Sequence, residues 1–243
     1  MSFLDIRREK QLKNCIQKLG LSSVENVDWE ILNLALTHPT FSQKDNYQQL
    51  EFVGDSVIRL VAAEILLENY PNELVGEFAA IRSILVSDNT LAEFAEVYGL
   101  ERYLLMAESV AKDKIGRVSW LADTFEALLG ALYLNRQNMS LIRPWLDPLL
   151  ITKAAEIRAD PARQNYKDAL QEWSQSQYKL LPKYQVVQHQ GSENHHQRFF
   201  AEVWVKNNNL GSGYGCSKKV AEQAAAKNAF FSYIHKGNYK YKH

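Results

Sequence analysis

Glu51 and Asp55 stand four residues apart in Leu50-Glu-Phe-Val-Gly-Asp-Ser-Val-Ile-Arg-Leu-Val-Ala-Ala, a stretch otherwise built mostly of apolar or small residues. On a helix that spacing puts both carboxylates on one face, where like charges repel. Beside so much apolar surface, burial would raise both pKa values unless a cation lay between them, and Arg59, four residues further on, is the candidate cation. Gly54, between the two acids, costs about 1 kcal/mol against alanine inside a helix, which points to close approach by another group. From Val118 to Leu134 the only charged residues are Asp123 and Glu126, three apart and again on one helical face. Four acids from two apolar helices could converge into an oxygen-rich site suited to Mg²⁺ or Mn²⁺. Such ions lower the pKa of a bound water and stabilise charge at phosphorus during hydrolysis. Spacing alone leaves open the alternative that each acid pair faces solvent or an arginine.

A second chemistry lies near the other end. In Gly211-Ser-Gly-Tyr-Gly-Cys-Ser-Lys-Lys-Val-Ala-Glu-Gln, Ser217 is a plausible N-cap, which sets Lys218 and Lys219 in the first helical turn. Cations are unfavourable there, so the pair makes sense if an anion such as phosphate docks on the free N–H groups of the helix start. The glycines before it are expected to let backbone approach that ligand closely. Two solvated lysines after a glycine turn remain the plainer alternative. Lys167 and Gln171 share a face of a helix beginning near Asn165, and the loop from Gly191 offers His195. A reader of duplex RNA needs polar side chains and lysines on separate elements, because it meets 2′-hydroxyls in a shallow groove flanked by phosphates. Taken singly, His195 also reads as an ordinary loop histidine. Phe199, Phe200 and Trp204 alternate along a strand and suit packing better than base stacking.

The elements that must hold these groups divide the chain. Its 243 residues carry 28 basic and 28 acidic side chains, yet residues 1 to 150 hold 14 against 21 and the remainder 14 against 7, so −7 is joined to +7. Such an asymmetry suggests two domains, one of which meets a polyanion. The first part has apolar residues at three-to-four spacing and reads as nearly all helix, through Leu141 to Ile157. Arg158-Ala-Asp-Pro-Ala-Arg-Gln-Asn is polar and interrupted by proline, which places the boundary near 160. Beyond it comes helix from Lys167 to Tyr178, strands at Lys183 to His189, Phe199 to Lys206 and Leu210 to Tyr214, and helix from Lys218 to Ile234. The expected fold is an all-α domain at 1–150, a linker at 151–163, a small α+β domain of order α-β-β-β-α at 164–236, and a tail at 237–243. No apolar run approaches the ~20 residues that span a bilayer, and the charged start is unlike a signal peptide, so the expectation is a soluble, cytoplasmic protein without a membrane association. Cys15 and Cys216 match no zinc spacing and are expected as reduced thiols.

Together these segments resemble bacterial-type ribonuclease III across nearly the whole chain. Leu50-Glu-Phe-Val-Gly-Asp-Ser-Val resembles the family's signature helix, Leu121-Ala-Asp-Thr-Phe-Glu-Ala-Leu-Leu-Gly its second acidic helix, and Thr37-His-Pro-Thr-Phe the segment just before the signature. Gly213-Tyr-Gly-Cys-Ser-Lys-Lys-Val-Ala-Glu-Gln-Ala-Ala-Ala resembles the end of a double-stranded RNA-binding domain. The resemblance implies metal ligands at Glu51, Asp123 and Glu126, a further catalytic carboxylate at Asp55, and RNA contacts at Lys167, Gln171, His195, Lys218 and Lys219. It implies a homodimer that hydrolyses double-stranded RNA with Mg²⁺, Mn²⁺ substituting, to leave 5′-phosphates and staggered 3′ ends during processing of ribosomal and other structured RNA precursors. Glu126 then belongs with Asp55 in the catalytic set. Two positions often acidic in the family are Gln48 and Val75 here, so those auxiliary roles are unassigned. The competing reading, an inactive double-stranded RNA-binding or ribosome-associated protein on the same fold, predicts loss of at least one of the four acids, and all four are present.

Overall fold

The computed structural model describes residues 5–21, 27–113, 115–160, 165–188 and 197–234. The chain falls into two compact units, Met1–Arg158 and Ala159–His243.

The first unit is helical: α1 (Ile6–Lys18), α2 (Trp29–Ala35), α3 (Gln48–Asn69), α4 (Val75–Leu85), α5 (Asp88–Tyr98), the short α6 (Glu108–Ala111), α7 (Arg117–Arg136) and α8 (Arg143–Ala159). α1 starts on Asp5 and α2 on Asp28, whose side chains accept from the free N–H groups of the first turn. α7 is the axis of the unit. From Trp120 to Leu132 nearly every residue is buried, leaving only Asp123 and Glu126 partly exposed, so its neighbours surround it on most sides. Phe125 packs against Phe94 and Trp145, and Thr124, fully buried, returns its hydroxyl to the Trp120 carbonyl at 2.6 Å.

α3 lies along α7 with a stripe at Leu50, Gly54, Val57, Ile58, Val61, Ala62, Ile65 and Leu66. The backbones touch at two glycines. A Cβ on Gly54 would fall inside the Glu126 carbonyl, and one on Gly130 inside the Leu50 carbonyl. Gly54 is thus where the second helix approaches, as its position between two acids suggested.

A buried guanidinium fixes the segment leading into α3. Arg8 donates to Asn33 Oδ1 at 2.7 Å and to the carbonyls of Tyr103 at 2.6 Å and Leu36 at 3.0 Å, so carbonyl and amide oxygens satisfy it. Leu36 and His38 in turn bond the backbone of Leu105, whose N–H donates to Leu36 and whose carbonyl accepts from His38. Thr37 to His38 is therefore held beside the start of α3.

The second unit has α9 (Tyr166–Tyr178), β1 (Lys183–Gln188), β2 (Phe199–Val205), β3 (Asn208–Gly215) and α10 (Lys218–Ala229), which closes in a wider π-type turn over Phe230–Ile234. The strands form one antiparallel sheet in the order β1-β2-β3. Ala201, Val203 and Val205 face a core shared with Tyr166, Leu170, Ala225 and Phe230, while Phe200 lies on the other side against Tyr214, 4.8 Å between ring centres. This is the α-β-β-β-α order expected, with β3 longer than its sequence suggested.

Two expectations need correction. Residues 151–158, assigned to a linker, continue α8 without a break, because Ala154 and Ile157 are buried in the first core and Arg158 pairs with Glu73 at 2.8 Å. The glycines before α10 serve packing rather than a ligand. Gly211, Gly213 and Gly215 of β3 face α10 so closely that any Cβ would strike its backbone or Ala224, which is also why that helix is lined with alanine.

The glycine seam makes a signed prediction. Gly54→Ala gains about 1 kcal/mol of helix propensity but must push two packed backbones apart, an overpacking cost of about 3 kcal/mol or more, so net destabilisation is expected. Gly76→Ala in α4, with nothing within 4 Å of the added carbon, is expected to be neutral or stabilising. Urea midpoints of the two variants moving in the same direction would count against the seam.

Candidate active site

The seam decides where the acids go. Because Gly54 rests on the Glu126 backbone, Glu51 and Asp55, on either side of it along α3, flank Glu126, with Asp123 one turn back along α7. The consequence is visible in their proton affinities. Burial, followed by the charges of Asp55, Glu51, Asp123 and Asp88, pushes the Glu126 carboxyl from its ordinary 4.5 to about 8. Glu51 is raised by burial and then by Asp123 and Asp55. Asp123 is raised by burial and by Asp88, opposed by a hydrogen bond from Tyr47. The acids therefore converge on one site rather than facing solvent as separate pairs.

Arg59 answers only part of this charge. Its Nε donates to both Asp55 oxygens, at 2.8 and 2.9 Å, and its Nη2 approaches Oδ1 at 2.7 Å. It thus pairs with Asp55, one turn away on the same helix, rather than standing between Asp55 and Glu51. Tyr47, at the N-terminal end of α3, is buried and its phenol donates to Asp123 Oδ2 at 3.3 Å. Burial and the Asp123 and Glu51 charges raise its pKa, so it stays a donor.

Among the described residues no group of three or more His, Cys, Asp or Glu side chains forms a ready coordination cage. The donor set nevertheless fits a hard divalent cation. It consists of carboxylates alone, with no thiol or imidazole, and its carboxylates repel one another across a half-buried seam whose neighbouring cation, Arg59, is hydrogen-bonded to Asp55. Glu51, Asp123 and Glu126 are the residues that could hold such an ion.

Sequence spacing missed two contributors. Asp88, in the first turn of α5, adds its field to both Asp123 and Glu126, and Tyr47 reaches Asp123 from 76 residues away. Neither separation leaves a periodic signal. The two unassigned positions, Gln48 and Val75, are both exposed at the first residues of their helices.

On the second unit, Ser217 caps α10 by accepting from the Val220 N–H, and Lys218 and Lys219 stand exposed in the first turn. Lys167 reaches the same region: its ammonium meets Glu222 of α10 at 2.6 Å and lies 4.7 Å from the Tyr184 ring centre. A phosphate meeting this lysine must share it with Glu222. Gln171 is exposed one turn further along α9, and His195 lies outside the described residues.

A family model described as Ribonuclease-III-like matches residues 28–142, and one described as Double-stranded RNA binding motif matches 166–231. Ribonuclease 3 2 of a Nostoc species is 57% identical over 96% of both chains. The chain belongs to the ribonuclease III family. Ribonuclease 3 2 of a Synechocystis species is 54% identical over 94% of both chains, and ribonuclease 3 of Gloeobacter violaceus 44% identical over 92% of this chain and 91% of that one. Among solved structures, the nuclease domain of a ribonuclease III from Campylobacter jejuni is similar at 30% identity and TM-score 0.45, covering 58% of this chain and 94% of that one. The acid seam lies in the ribonuclease III-like segment and the lysines of α9 and α10 in the double-stranded RNA-binding motif.

The raised Glu126 carboxyl has a stability consequence. A carboxyl that binds its proton more tightly when folded makes stability fall as pH rises from about 4.5, its ordinary value, through about 8. In chelator-treated protein, Glu126→Gln is expected to raise the thermal midpoint at pH 8 and leave it near wild type at pH 5, where both side chains are neutral. Equal midpoints at both pH values would show that the seam carries no such strain.

Proposed function

We propose that this ribonuclease III-family protein is a Mg²⁺-dependent endonuclease of double-stranded RNA, acting as a cytoplasmic homodimer on structured precursors that include ribosomal RNA and leaving 5′-phosphates and staggered 3′ ends. The observation that carries the reading is the convergence of Glu51, Asp55, Asp123 and Glu126 where α3 and α7 touch. The intact acid set is what the competing reading, an inactive binder on the same fold, does not need.

When bound, the divalent ion, Mg²⁺ or Mn²⁺, lowers the pKa of water and neutralises charge growing on phosphorus. Glu51, Asp123 and Glu126 would hold it, and Glu126, whose carboxyl is pushed up to about 8 without an ion, would release its proton to water in order to serve as an anionic ligand. Asp55, its orientation set by Arg59, keeps lone pairs free to order water or take a proton. Lys218 and Lys219, with the open N–H groups of α10, hold phosphates of the duplex, Lys167 and Gln171 contact it from α9, and His195 is the further contact that the family resemblance implies. The net +7 of the second half supplies the long-range attraction that the −7 half opposes.

A homodimer is supported by an exposed stripe on α3. Phe52, Leu60 and Leu67 fall on one face of the helix, and Phe52 is 79% exposed, an unusual cost for a side chain of that size. A second copy covering that stripe would match the local twofold symmetry of a duplex substrate.

Two outcomes test the reading. Glu126→Gln is expected to lose cleavage of a long RNA duplex by several orders of magnitude in Mg²⁺ while retaining duplex binding in Ca²⁺; cutting at the wild-type rate would remove Glu126 from the site. Lys218→Ala with Lys219→Ala is expected to weaken duplex binding and flatten its salt dependence by about 2 units of slope, one for each phosphate contact. An unchanged slope would rule out the helix-start site.

A further inference from the structure

Tyr47 is hydrogen-bonded to both acidic helices where they meet. Its carbonyl accepts the Glu51 N–H at 2.9 Å, fixing the first turn of α3 at the residue that carries the first acid. Its phenol crosses to α7 and donates to Asp123 Oδ2 at 3.3 Å. Its own N–H donates to the Thr37 carbonyl at 3.0 Å, so the residue is anchored to the segment that Leu105 pins.

The ring has little freedom to do anything else. Tyr47 is only 3% exposed, and the His38 imidazole stands edge-on to it at 88°, 5.5 Å between centres. His38 is itself held: the Thr40 N–H donates to its Nδ1 at 3.1 Å, and Thr40 Oγ1 accepts from the Ala107 N–H at 3.2 Å. A chain of contacts thus runs from the Ala107 backbone through Thr40 and His38 to the phenol and the Asp123 carboxylate. The carboxylate receives no other side-chain hydrogen bond among the described residues.

Resting on the metal-dependent reading above, we infer that Tyr47 is a positioning residue: one oxygen of Asp123 is committed to its phenol, so the other is turned toward Glu51 and Glu126 as the metal-facing ligand. Groups that orient a metal ligand in this way typically change metal affinity by tenfold or more when removed, without touching the metal. Without the phenol the Asp123 side chain would rotate about its bonds and lose that entropy again on binding a cation.

The test uses full-length protein and counts free Mn²⁺ by electron paramagnetic resonance in the absence of RNA, for wild type, Tyr47→Phe and Glu126→Gln. Phenylalanine keeps the ring and its contact with His38, and circular dichroism melting checks that the fold is intact. The expected result is Mn²⁺ binding weakened about tenfold in Tyr47→Phe. In duplex cleavage, the Mg²⁺ concentration for half-maximal rate should rise by more than the saturating rate falls. Mn²⁺ affinity within twofold of wild type, with Glu126→Gln weakened, would overturn the role of Tyr47 and leave the carboxylate site standing. A saturating rate that falls with no change in metal requirement would overturn it equally. Should Glu126→Gln bind Mn²⁺ as tightly as wild type, the metal reading itself fails, and the inference with it.

Discussion

Two helical backbones in contact at Gly54 and Gly130 set the geometry on which the site depends. With any larger residue at either position, α3 and α7 would stand further apart, and the acids flanking the contact would separate with them. Packing supplies what holds the contact closed against electrostatic repulsion. Behind the acids lie the Phe94, Phe125 and Trp145 rings and the buried leucines of α7, whose removal from water opposes the mutual repulsion of the carboxylates. The cost is still legible, because burial, and after it the charges of Asp55, Glu51, Asp123 and Asp88, push the Glu126 carboxyl up to about 8. A strained cluster of this kind marks a functional site more than a stabilising one, since the surrounding core over-determines it.

The second unit solves the opposite problem. Its lysines stand at a helix start, where cations are disfavoured, and one of them, Lys167, is tied to Glu222. That ion pair braces α9 against α10 and keeps Lys167 beside the turn that carries Lys218 and Lys219. The close fit of α10 on the glycines of β3 serves the same end, because the helix start can present its N–H groups only if the helix is rigidly seated. Opposite charge on the two units then separates the labour chemically: the basic unit attracts a polyanion that the acidic unit, without a cation, repels.

Much of this was legible in the residues themselves. Periodicity of three to four in the first half and of two in the second gave the element types and the α-β-β-β-α order, because side-chain direction follows directly from backbone repeat. The four acids stood out because charge is costly on apolar helices, and Gly54 because glycine is poor in a helix interior. Helix through Ile157 was read from the periodicity, but that its end belongs to the first unit rather than to a linker was not, because the buried Ala154 and Ile157 show their role only once a core exists to receive them. The β3 glycines were misread for a related reason: close approach was correctly expected, but sequence does not say what approaches.

By itself, then, the sequence determined the fold class, the division of charge, the two acid pairs and the lysines of the helix start, all of which are local properties of spacing and composition. Only the tertiary structure decided that the two pairs share one seam, that Asp88 adds to the field at Glu126, and that Tyr47 reaches Asp123. These are contacts between residues dozens of positions apart. They are set by the crossing of packed helices, and a crossing point has no repeat along the chain from which it could be read.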